Sequence, residues 1–202
     1  EKSLEIDEHT GVVSIELDPR DPDTIYAAAY QRRRHTWTLI NGGPSSGIWK
    51  STDGGDTWRE INKGLPGGDK GRIGLAVAPT APDTVYAIVE AAGDRSGFYR
   101  SADQGETWAR TSDYISRSPQ YYNEISVDPH DPARIYSLET YLHRSEDAGE
   151  SFEPVPLRGK HVDDHAIWFD PDMTGHLLVG SDGGLYETFD HGEQWRYFEN
   201  IP

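Results

Sequence analysis

"STDGGDTW", residues 51–58, sets two aspartates and two glycines side by side. Calcium loops, anion-binding nests and hairpin turns all use Asp and Gly, so composition alone does not separate them. Recurrence does. The stretch returns as "SADQGETW" (101–108), "SEDAGESF" (145–152) and "TFDHGEQW" (188–195), with starts 50, 44 and 43 residues apart. The shared pattern is Ser/Thr-x-Asp-x-Gly-x-polar-aromatic. Its fixed positions are Ser51, Asp53, Gly55 and Trp58; Ser101, Asp103, Gly105 and Trp108; Ser145, Asp147, Gly149 and Phe152; and Thr188, Asp190, Gly192 and Trp195. A near-constant period of this length is the mark of a repeat architecture.

A second repeat is interleaved with the first. "VVSIELDPRDPDTIYAAAY" (12–30) matches "RIGLAVAPTAPDTVYAIVE" (72–90) and "YNEISVDPHDPARIYSLET" (122–140), and "DHAIWFDPDMTGHLLVGSD" (164–182) follows more loosely. Each reads as strand, Asp/Ala-Pro turn, strand. Ile15, Leu75, Ile125 and Ile167 fall in register two residues before Leu17, Val77, Val127 and Phe169, the period of a strand with one packed face. A short third run precedes every Asp motif ("GIWKS", "GFYRS", "YLHRS", "GLYET"), and a fourth begins with its aromatic. Four antiparallel strands, A to D, in about 45 residues predict a β-propeller blade. The expected architecture is all-β: four consecutive blades in one domain over 1–202, about 11–62, 70–112, 120–156 and 163–199, forming part of a larger ring. Apolar faces at the two ends would then be covered by the remainder of the propeller or by another chain. The chain opens on Glu1 rather than Met, and a preceding segment is expected.

The Asp motif falls between strands C and D. Its Gly can take positive φ and its Asp can accept from the turn's own amides. A calcium loop of EF-hand type needs more carboxylates and a terminal Glu, which no copy supplies. The expectation is a structural turn whose aromatic anchors strand D in the blade interface.

These residues resemble the Asp box, or bacterial neuraminidase repeat, and the resemblance covers essentially the whole chain. The box occurs in sialidases, xyloglucanase-type glycoside hydrolases, sortilin-type receptors and large secreted bacterial propellers. The Asp-Pro turn and following strand are most similar to the sortilin-like and xyloglucanase-like groups. The resemblance implies that the box is a fold element remote from the active site. The Phe/Tyr-Arg-Ile-Pro motif of sialidases and the cysteines of animal sortilin receptors are missing. An extracellular or periplasmic, bacterial setting is the corresponding expectation.

Composition narrows the function classes. A net charge of -16 argues against nucleic acid, whose phosphates need a basic stripe. No apolar run approaches the roughly 18 residues of a membrane helix. The absence of cysteine excludes disulfides and thiolate metal sites.

In a meander, A–B and C–D turns share one end and B–C and D–A loops the other, so function is sought at the D–A rim, away from the Asp motifs. There the chain places a long B–C loop (30–47) with the basic cluster "QRRRH", then "GDKGR" (68–72), "SPQYYNE" (118–124) and "KHVDDH" (160–165). The candidate ligand-binding residues are Arg32, Arg33, Arg72, Tyr121, Tyr122, Asn123, Glu124, His161, Asp164 and His165. Arginine forks suit an anionic group, although pairing with the protein's own acids is the plainer expectation. Tyrosine, amide and acid together suit a sugar. His161, Asp163 and His165 alternate and would share one side of an extended segment, a set suited to zinc or iron; a ligand-lining role without metal and an ordinary solvated loop are the other readings. Glu124, Asp163 and Asp164 are the carboxylates available for glycoside hydrolysis. The sequence therefore predicts a glycan- or peptide-binding module, with a hydrolase or a purely structural segment as alternatives. No cofactor is expected beyond a divalent cation at the histidine cluster.

Overall fold

The computed structural model describes residues 2–199 as four antiparallel sheets with almost no helix. The first blade comprises β1 (Thr10–Asp18), β2 (Asp21–His35), β3 (Thr38–Asn41), β4 (Gly47–Ser51) and β5 (Arg59–Glu60). The second has β6 (Lys70–Val77), β7 (Val85–Ala91), β8 (Gly97–Ser101) and β9 (Ala109–Ser112). The third has β10 (Glu124–Val127), β11 (Ile135–Leu138), β12 (His143–Ser145) and β13 (Glu153–Pro154). The fourth has β14 (Asp164–Phe169), β15 (Leu177–Ser181), β16 (Gly184–Thr188) and β17 (Arg196–Tyr197). Every blade is a meander of neighbouring strands, the first carrying β3 as an extra strand on β2. Among the described residues no helix is long and apolar enough to cross a membrane.

Three apolar seams hold the blades side by side. Tyr26, Ala28, Ile48 and Ile61 pack on Ile73, Leu75, Tyr99 and Trp108 of the next blade. Tyr86, Ile88 and Phe98 pack on Ile125, Val127 and Ile135. Tyr136, Leu138, Leu142 and Val155 pack on Leu177 and Val179. The period-two pattern of strand A thus faces a neighbouring blade. Backbones also approach closely there: a Cβ at Gly74 would lie 2.0 Å from the Asn123 carbonyl oxygen.

The four Asp motifs share one hydrogen-bond network. The Ser51 hydroxyl donates to Asp53 Oδ1 (2.7 Å) and accepts from the Gly55 amide (2.8 Å), while Thr57 donates its amide (2.9 Å) and hydroxyl (2.5 Å) to the same carboxylate. The Ser101, Ser145 and Thr188 copies repeat the first two bonds. In each copy the residue before the glycine is left-handed (Gly54, Gln104, Ala148, His191), and so is the glycine itself. That residue's amide donates to a carbonyl of the A–B turn of its own blade, at Asp23, Asp83, Ala133 and Gly175. The motif therefore staples two turns at one end of the blade, and its carboxylate is occupied by the turn's own donors.

Those bonds fix the acid response. The Thr57 hydroxyl and amide hold Asp53 down at about 2, and Thr107 and Ser101 do the same for Asp103. For Asp147 and Asp190 burial pushes upward, but hydrogen bonds from the turn win and both lie below the usual range. A depressed folded-state pKa stabilises above the unfolded value and loses that contribution as pH falls through the folded one. The steepest loss of melting temperature, followed by circular dichroism, is expected between about pH 4 and 2. A melting temperature unchanged down to pH 2 would contradict this.

Candidate functional site

The innermost strands β1, β6, β10 and β14 line a shared central channel. Its rim-side compartment, about 300 Å³, draws on all four blades, with Ser14, Arg72, Glu124 and His165 on its wall. The D–A loops and the B–C loops open at this end, opposite the Asp motifs.

Arg72, at the end of β6 nearest the rim, donates to Glu124 Oε1 of the next blade (2.7 Å). Its amide donates to Glu90 (3.0 Å), whose carboxyl burial pushes up. Tyr122 donates its hydroxyl to Asp163 Oδ1 (2.7 Å) and stacks on His165, with ring centroids 5.9 Å apart. Tyr121 stands edge-on to Tyr122 at 4.9 Å and is 61% exposed. His165 Nε2 bonds Asp182 (2.9 Å). The structure thus gathers Arg72, Tyr121, Tyr122, Glu124, Asp163 and His165 around one mouth: an open aromatic face flanked by a guanidinium–carboxylate pair and an imidazole–carboxylate pair.

Other candidates have different positions. Asn123 is fully buried; its side chain donates to the Arg72 carbonyl (2.9 Å) and accepts from Ser116, with its backbone left-handed at φ 60°. It locks β10 to β6 instead of facing a ligand. Asp164 is also fully buried and forms an ion pair with Lys160, itself 5% exposed, so neither solvent nor substrate reaches it as a rim or catalytic carboxylate. Burial draws both partners toward their neutral forms and their mutual contact opposes this.

The alternation of His161, Asp163 and His165 does not survive folding. Asp163 is left-handed (φ 63°) and β14 starts only at Asp164, so the segment is not extended. His161 bonds the Val162 carbonyl, Asp163 the Tyr122 hydroxyl and His165 Asp182. Among the described residues no three His, Asp or Glu side chains are placed to hold a metal ion.

The expected B–C loop is a two-stranded arm. β2 continues through Arg32–His35 and pairs with β3 across a Thr36–Trp37 turn, with Trp37 83% exposed. At its base Gly43 donates to the Lys70 carbonyl (3.0 Å), tying the arm to the start of β6. Arginine ion pairs among the described residues fall on Arg20, Arg59, Arg72, Arg134, Arg144 and Arg196. Arg32 and Arg33 are exposed and outside that set, so the expected pairing with the protein's own acids is replaced by strand pairing within the arm.

Sequence reading missed Glu16, Glu90 and Asp182. Glu16 was legible in principle: it follows Ile15 in the aligned register where the other blades carry Ala76, Ser126 and Trp168. A carboxylate at that position of an innermost strand is placed at the channel.

No protein-family model and no curated protein sequence matches the chain. Solved structures do. The whole chain superposes on 32% of the GH74 xyloglucanase from Xanthomonas campestris, with TM-score 0.66 and 19% identity. An ancestral GH74 enzyme gives TM-score 0.66 at 15% identity over 98% of this chain and 25% of its own. YCF48 bound to D1 peptide gives TM-score 0.53 at 13% identity over 96% of this chain and 70% of its own. The fold is that of a β-propeller. At these identities the likeness is one of fold alone, and the chain spans about a third of the xyloglucanase's length.

Proposed function

We propose that this propeller segment binds a neutral or weakly anionic glycan at the rim. The observation that carries the reading is the Tyr121–Tyr122–His165 aromatic cluster, exposed at the mouth between the Arg72–Glu124 and His165–Asp182 pairs. An aromatic face takes the C–H face of a sugar ring, and flanking charged pairs offer donors and acceptors to its hydroxyls. The glycan-active GH74 neighbours are in keeping with this. We read the four turns as Asp boxes of a secreted bacterial protein. Further blades, from the same or another chain, would cover the outer flanks, where Ile15 and Leu17 at one end and Trp168 and Phe189 at the other are about half exposed.

A peptide ligand is the second reading, favoured by the fold likeness to YCF48 bound to D1 peptide. Hydrolysis has less support. Glu124 is held by Arg72, Asp163 by Tyr122, and Asp164 is buried.

Glycan-array screening of the purified chain, followed by calorimetry on the best oligosaccharide, tests the proposal. Tyr121→Ala is expected to weaken binding by about tenfold or more, equivalent to roughly 1.4 kcal/mol, with an unchanged melting temperature. An array without hits, or a Tyr121→Ala affinity equal to wild type, would remove the reading.

A further inference from the structure

The channel has a second compartment, opening at the Asp-motif end. It is about 440 Å³, within the range of small-molecule sites, and its mouth is framed by the A–B turn prolines Pro79, Pro129 and Pro171 and by Trp168. Ala76, Val77, Ile125 and Val127 make the rest of its wall apolar. Glu16 lies on the wall of both compartments, at the waist between them.

Glu16 is half-buried and has no ion-pair partner among the described residues. Its cross-strand neighbour is Tyr26. The titratable and charged groups on the rim-side walls are Arg72, engaged with Glu124, and His165, engaged with Asp182. The turn-side walls carry no titratable group besides Glu16. Burial pushes its carboxyl up to about 7, while the Val77 amide pulls the other way. A carboxylate without a counter-charge, at the base of an apolar hollow in a protein of net charge -16, is complementary to a cation carrying an apolar body.

We infer that the turn-side compartment is a binding site for a small organic cation, an ammonium group on an apolar stem, with the stem against the prolines, Ile125 and Val127 and the ammonium at Glu16. Only the ionised carboxylate attracts the ammonium, so affinity rises with pH through the Glu16 titration. The site is separate from the glycan rim and does not depend on that reading.

Calorimetry with 2-phenylethylammonium and its uncharged counterpart 2-phenylethanol, at pH 6 and pH 8, tests the assignment. At pH 8 the ammonium is expected to bind at least about tenfold more tightly than the alcohol, and about tenfold more tightly than at pH 6, as a carboxyl titrating near 7 requires. Glu16→Gln removes both preferences; should that variant fail to fold, the wild-type comparison decides. Tyr121→Ala leaves ammonium binding unchanged, which separates this site from the rim. No binding of the ammonium, equal binding of the alcohol, or a pH-independent affinity overturns the inference.

Discussion

Lys160→Met is expected to destabilise the protein by about 3–5 kcal/mol, because it leaves the Asp164 carboxylate buried without its counter-charge. Asp164 Oδ2 already has no partner, so little else can absorb the charge. For a chain of this size such a loss lowers the melting temperature by roughly 10 °C. The cost shrinks on acidification, since protonating Asp164 removes the charge that has lost its partner. Combining Lys160→Met with Asp164→Leu should recover most of the stability, as apolar replacement of a whole buried pair often does. Denaturant unfolding of the two single variants and the double variant closes the cycle. A double variant as unstable as the sum of the singles would mean that the pair is not acting as a unit. The pair matters to the site because Asp164, which it anchors, lies between Asp163 and His165, and both of these contact Tyr122.

Trp108→Ala is expected to cost about 3–5 kcal/mol, the range for deleting a buried aromatic. Trp108 is 5% exposed, sits in the seam with the first blade and donates Nε1 to the Ile61 carbonyl there (2.7 Å). Trp195 makes the equivalent bond to Pro156 of the third blade (2.9 Å), and Phe152 stacks on Tyr114 of the second. Trp58 belongs to the first blade and donates instead to Gly55 of its own turn (3.0 Å). Trp58 is only half-buried and has no neighbouring blade packed on it among the described residues, so in this chain Trp58→Ala should cost less than half as much. Equal costs at 58 and 108 would show that the aromatic acts within its own turn and not as the anchor of the next seam.

The contrast between these tryptophans also marks how far the sequence could be read. Four copies of one turn and a period-two register are local signals. They predicted four meanders and the end on which the turns lie, because turn chemistry and alternation need only near neighbours. The arm over 31–41 escaped because Thr36–Trp37 lacks the Asn-Gly or Asp-Gly pair that announces a two-residue hairpin. The histidine cluster misled for a local reason: a single left-handed residue, Asp163, reorients an otherwise plausible row of ligands. The burial of Asn123 was illegible because its partner, the Arg72 carbonyl, lies 51 residues away; Lys160 stands in the same stretch as Asp164, but only folding buries the two together. Blade 4 departs at the seam itself. Where earlier blades have Tyr26, Tyr86 and Tyr136 it has Leu178, and where they have Lys50, Arg100 and Arg144 it has Glu187, paired with His176 and Arg196. Its outer flank is therefore chemically unlike the three seams within the segment.

The rim reading is the claim on which the functional account rests. Chemical-shift mapping of the labelled chain, titrated with the best oligosaccharide from the array, tests it most directly. Perturbations should concentrate at Arg72, Tyr121, Tyr122, Glu124 and His165 and leave Asp53, Asp103, Asp147 and Asp190 unmoved. Shifts centred on the Asp turns, or spread over the outer flanks with the rim silent, would contradict the account.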